Sequence, residues 1–169
     1  LFFIVLSGCA GTSGGLHASA YDKWQVQKTI DRATRNTQCA LLSPAKNYAS
    51  GIGLDTVYIK VAQDGIVWLE TRHDPFNKRA TPYMGIKVDE NPPVLGPVRT
   101  SNQRVLRFSP QDSERLLQQL AEGDLVKIQV SLHPRQEMIT GRYSLEGFED
   151  ALLKYRVCEV MSAEAQSAR

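Results

Sequence analysis

The sequence predicts a mainly β domain, an antiparallel β-sandwich or partly open barrel with two short helices. Three observations predict it. Apolar and polar residues alternate over short runs, as in 57–61 and 126–132, the period of strands with one dry and one wet face. Asp64-Gly65 separates two apolar runs, a strong hairpin signature. Helical patterns occur twice and do not interleave regularly with the strands, which disfavours a doubly wound sheet. The 169 residues are 42% hydrophobic and 22% charged. That suits one domain with its own core and argues against a disordered chain. Twenty Lys+Arg against 18 Asp+Glu leave a formal charge of +2, too little to draw the whole chain to nucleic acid or a membrane surface.

The elements follow in order. Trp24, Val26 and Thr29 alternate with polar neighbours and suggest a first strand. Residues 31–37 are polar and read as a turn, and 38–42 as a short strand carrying Cys39. Pro44, Asn47, Gly51 and Gly53 predict a loop over 43–53. The hairpin pairs 56–62 with 66–72, and His73-Asp74-Pro75 and Thr81-Pro82 return the chain to loop over 73–82. Tyr83–Val88 is a strand, 89–103 a long proline-containing loop, and Val105–Phe108 a strand. Ser109 can cap a helix over 110–121, with Pro110 where its missing N–H costs nothing and Asp112 in the first turn. Gly123 can stop it. Strands follow at 125–132 and 138–145, then a helix over 147–156, whose Phe148, Leu152 and Tyr155 share one face.

The front of the chain carries the strongest functional signal. Leu1–Leu6 is wholly apolar and runs into Ser7, Gly8 and Cys9, like the end of a secretory signal peptide. Leu6-Ser7-Gly8-Cys9 resembles the lipobox of bacterial lipoproteins. That resemblance implies cleavage before Cys9, acylation of its thiol with palmitate-type chains, and anchoring in lipid. Ala10, being non-acidic, implies sorting to the outer membrane, with the domain facing the periplasm. Residues 1–8 are then a signal-peptide remnant, and 9–20 a lipidated N-terminus with a small-residue tether. Residues 21–160 form the single domain and 161–169 a fraying tail.

Export changes the reading of the other cysteines. With Cys9 acylated, Cys39 and Cys158 remain, and an even pair in an oxidising compartment reads as a disulfide. Two buried free thiols are the alternative. Neither cysteine has a CxxC neighbour and the three histidines are widely separated, so neither metal nor cofactor is expected.

A second resemblance covers the domain. Trp24-Gln25-Val26, Cys39, Asp64-Gly65, Glu122-Gly123-Asp124 and the closing Ser144-Leu145-Glu146-Gly147-Phe148-Glu149-Asp150-Ala151-Leu152 appear in that order. The chain thereby resembles the invasion-associated locus B family of exported bacterial proteins, over about residues 23–155. The resemblance implies a small β-rich domain in the envelope, and no catalytic residues. That family commonly has a further cysteine pair ahead of the leucine-bearing helix, which this chain lacks between Cys39 and Cys158.

Catalytic signals are thin. His17 lies in the tether, His73 beside a turn-forming Asp74-Pro75, and His133 before Pro134. No GxSxG, HExxH, CxxC or GxxxxGK[ST] motif occurs, and no enzyme is expected. Arg99, Arg104, Arg107 and Arg115 fall within seventeen residues and suggest a contact surface. Aromatics are not interleaved with them, so nucleic acid is not an expected partner. The expected function is a lipid-anchored docking component of an outer-membrane assembly such as a secretion, conjugation or pilus machine. Its expected partners are membrane lipid, through the acyl anchor, and other envelope proteins. A periplasmic inhibitor or ligand-binding module and an envelope hydrolase are the alternatives.

Overall fold

The computed structural model describes residues 23–30, 36–50, 53–134 and 137–167. Cys9, the lipobox, the tether and His17 lie outside them. The chain first forms β1 (Gln25–Ile30) and β2 (Thr37–Leu42), antiparallel, with Gln25 opposite Leu42 and Lys28 opposite Cys39. β3 (Lys46–Ser50), β4 (Gly53–Val61) and β5 (Val67–Thr71) follow. The β4–β5 hairpin turns at Asp64-Gly65 as expected. Gly65 has φ +72°, and the Asp64 carboxylate accepts the Ile66 N–H at 3.1 Å.

The loop expected over 43–53 is instead partly strand. β3 pairs with β4, Lys46 opposite Val57 and Ser50 opposite Gly53. β2 and β3 lie end to end along β4, interrupted beside Pro44, which has no N–H to give. Buried Ser43 bridges the gap. Its N–H donates to the Ile59 carbonyl at 2.8 Å, and its hydroxyl accepts the Ile59 N–H at 2.9 Å. The ladder is thus completed by a side chain.

A 3-10 helix (Lys78–Tyr83) leads into β6 (Gly85–Val88). The excursion expected at 89–103 holds two short strands, β7 (Val94–Leu95) against β6 and β8 (Val98–Arg99) against β9 (Val105–Arg107). α1 (Pro110–Glu122) begins where Ser109 predicts, the Ser109 hydroxyl accepting the Asp112 N–H at 3.1 Å. The inward-facing Ser113 hydroxyl accepts the Val67 N–H at 3.0 Å, so the helix completes part of the sheet's hydrogen bonding. β10 (Leu125–Val130) and β11 (Ile139–Ser144) precede α2 (Phe148–Ser167).

Among the described residues every ladder is antiparallel. One sheet has the order β1-β2-β4-β5-β9-β8, with β3 beside β4, and the other β11-β10-β6-β7. The expected mainly β antiparallel fold is therefore present as two sheets, neither closed into a barrel. One apolar core joins them, with Val57, Ile59, Leu69 and Leu106 from the first and Ile86, Val126, Ile128 and Val130 from the second.

The tail composition predicts fraying from residue 161 and a helix ending at 156, but α2 continues to Ser167. No Gly or Pro interrupts 148–167. Cys158 and Ser162 are buried on the face already set by Phe148, Ala151, Leu152 and Tyr155. Tertiary burial extends the helix where composition alone gives no reason to.

Two side chains hold α2 down. Trp24 donates its indole N–H to the Ser144 carbonyl at 2.8 Å and stands edge-on to Phe148, with ring centroids 4.8 Å apart. The Tyr155 hydroxyl shares its proton between the Ala62 carbonyl and the Glu159 carboxylate, each at 2.6 Å. Burial, then the hydrogen bond to Glu159 and its charge, push the Tyr155 phenol far above its ordinary range. In the unfolded chain this phenol ionises near pH ~10. Its contribution to stability is full below that pH and is lost as pH rises above it. Tyr155→Phe is expected to cost about 1 kcal/mol at pH 7 through the lost hydrogen bonds. It should also shrink the loss of stability above pH ~10. Urea titrations across that range check both.

Candidate docking surface

Cys39 and Cys158 form a disulfide. Both sulfurs are buried, and the bond ties β2 to the middle of α2 across 119 residues of sequence. The bridge leaves α2 fixed against the first sheet, so whatever α2 shows on its other side is shown rigidly.

The four arginines expected to form a contact surface are carried by β8, β9, the turn before β9 and α1. Arg107 pairs with Asp64 at 2.9 Å, and Arg115 with Asp112 at 3.0 Å one helical turn away. Arg104 donates to the Arg72 carbonyl at 3.1 Å. Arg99 lies on β8 opposite Leu106. Two of these cations are thus matched by carboxylates, which weakens the field that their spacing in sequence suggests.

His73 is exposed while its neighbour Asp74 is buried. His133 is exposed, and its N–H donates to the Pro75 carbonyl at 2.8 Å. Among the described residues no three His, Cys, Asp or Glu side chains gather as metal ligands would. The closing segment 144–150 lines a shallow acidic hollow with Glu122 and Asp124. Glu149 and Asp150 occupy the first turn of α2, where the helix dipole favours them.

Sequence reasoning missed the outward face of α2. Leu153, Val157, Val160 and Met161 are 64%, 53%, 57% and 60% exposed. Their spacing of four, three and one residues sets them on one helical face, opposite the buried row of Phe148, Ala151, Tyr155, Cys158 and Ser162. The stripe is about 12 Å long at 1.5 Å per residue. Exposed Glu149, Asp150, Lys154 and Arg156 stand beside it. Single exposed apolar residues are ordinary, but a continuous line with a charged border is the anatomy of a contact face. The spacing was visible in the sequence, but ending the helix at 156 hid it.

Among the described residues no helix is long and apolar enough to cross a membrane. Compared with known protein families, curated proteins and solved structures, the chain matches none.

Proposed function

We propose that this chain is an exported, lipid-anchored docking component of a bacterial outer-membrane assembly, such as a secretion, conjugation or pilus machine. The observation that carries the docking role is the apolar outward stripe of α2. The domain's own core is satisfied by the opposite face of that helix. Fully burying a side chain of this size is worth about 1.5–3 kcal/mol, so four of them could anchor an interface. The partner is another envelope protein presenting an apolar surface of matching length. The buried disulfide supports an oxidising compartment, and Leu6-Ser7-Gly8-Cys9 supports the anchor.

Two measurements test the proposal. Cys9→Ser is expected to move the protein from the membrane to the soluble fraction with its thermal unfolding unchanged. Retention on membranes after a salt wash would sink the anchor. A photo-crosslinking residue at Val157, in cells of the native host, is expected to give one discrete adduct with a different envelope protein. The same residue at Gln118 of α1 should give none. An adduct of twice the chain's own mass, or none at Val157, would overturn the heterologous docking role.

A further inference from the structure

The outward face of the second sheet carries a charge pattern that its own stability does not explain. Lys127 on β10 stands opposite Lys87 on β6 and opposite Arg142 on β11. Directly opposed residues of an antiparallel pair lie on one face, with Cβ atoms about 4.5–5.5 Å apart. Ile86, Val88, Val126, Ile128 and Tyr143 are buried, so alternation along each strand turns the three cations outward. Three positive charges therefore form one row across three strands, an arrangement that destabilises a sheet. Glu90, almost wholly exposed, reaches Lys87 at 3.2 Å. Among the described residues no carboxylate forms an ion pair with Lys127 or Arg142.

The next row on the same face has a different chemistry. Gln129 stands opposite Thr140 on one side and Gly85 on the other, and Gly85 stands opposite Leu95. A Cβ at Gly85 would overlap the Val94 carbonyl oxygen and press on the Leu95 side chain. Only glycine allows that approach. The result is a pocket of about 280 Å³, lined by Lys87, Lys127, Gln129 and Thr140 together with Tyr83 and Leu95. Tyr83 and Leu95 are large apolar side chains left exposed. Cations at one margin, two uncharged hydrogen-bonding groups and an apolar wall thus meet in one concavity, the usual composition of a small-ligand site.

We propose that this pocket binds a phosphate ester. The phosphate lies along Lys87 and Lys127 of the pocket lining, with Arg142 next to them in the row and outside that lining, and the organic body crosses Gly85 against Tyr83 and Leu95. A phosphate monoester carries close to two negative charges at neutral pH and three acceptor oxygens. It matches clustered cationic donors better than a carboxylate does. The bound anion removes the repulsion along the row. A soluble ester and the phosphate headgroup of a lipid share this chemistry.

Isothermal titration of the full chain in detergent tests it, with 1-naphthyl phosphate as the probe. Saturable one-to-one binding is expected, tighter than that of inorganic phosphate. Lys127→Met should weaken it about tenfold or more, the cost of one charge-assisted contact. Lys127→Arg should retain it, and Arg115→Met, on α1, should leave it unchanged. Lys127→Met should also unfold at the same or a higher temperature than the parent, since it removes a repulsion. Dihexanoyl phosphatidic acid, below its micellar concentration, separates the two sources. Tighter binding than the naphthyl ester assigns a lipid headgroup, and weaker binding a soluble ester. Absence of saturable naphthyl phosphate binding, equal binding by Lys127→Met, or loss of binding in Lys127→Arg would each overturn the site.

Discussion

Replacing Cys39 and Cys158 together by alanine is expected to lower the unfolding free energy by about 4–5 kcal/mol. The figure follows from the loop that the bridge closes. Its ends are 119 residues apart, and chain-entropy arguments give a loop of that length a stabilisation near the top of the observed range. Domains of this size are stable by only about 5–15 kcal/mol in total. The double variant should therefore stand near the edge of folding at 37 °C. Its urea unfolding curve should also be steeper, because an uncrosslinked chain exposes more surface when it unfolds. An equal midpoint and an equal slope would show that α2 is held by packing alone. Because both sulfurs are buried, mild reductant should act on the native protein slowly, at the rate of opening.

Phe148→Ala is expected to cost about 3–5 kcal/mol, the range for truncating a buried aromatic. Phe148 is fully buried at the start of α2 and carries the edge-on contact with Trp24. Its loss leaves a cavity under the helix and frees the indole ring that closes the end of β1. Phe148→Leu keeps most of the volume and should cost less than half as much. Thermal unfolding of both variants checks the order, with Trp24 fluorescence reporting on the ring's surroundings. A Phe148→Ala cost below about 1 kcal/mol would contradict the packing described for this corner.

Local signals were legible where a single residue type dictates geometry. Asp64-Gly65 needed a positive φ and a short polar side chain, and it made the hairpin readable without any tertiary information. Ser109-Pro110 marked the start of α1 through capping chemistry that is local to a few residues. The cysteine pair was readable by count once export was inferred from the first eleven residues. β3 was not legible, because Pro44, Asn47 and the flanking glycines signal a loop. The strand forms through its pairing with β4 and the Ser43 hydroxyl. The far half of α2 was hidden for a similar reason, since its burial comes from β1 and β2, more than 100 positions away in sequence. The Lys87, Lys127 and Arg142 row was the least accessible of all. Those residues are 40 and 15 positions apart, and only the register of three strands brings them level.

Trp24 also decides how the domain bears a mechanical load. β1 is the last strand on its side of the first sheet, with β2 as its ladder partner. A pull from that side would peel β1 away one hydrogen bond at a time, beginning at the Gln25–Leu42 end. The indole clamp on Ser144 and Phe148 sits at that starting point and must be torn out first. Once β1 is stripped, the pull meets β2, which Cys39 moors covalently to α2. A load applied at Lys23 is thereby resisted first by the clamp and then by the bridge.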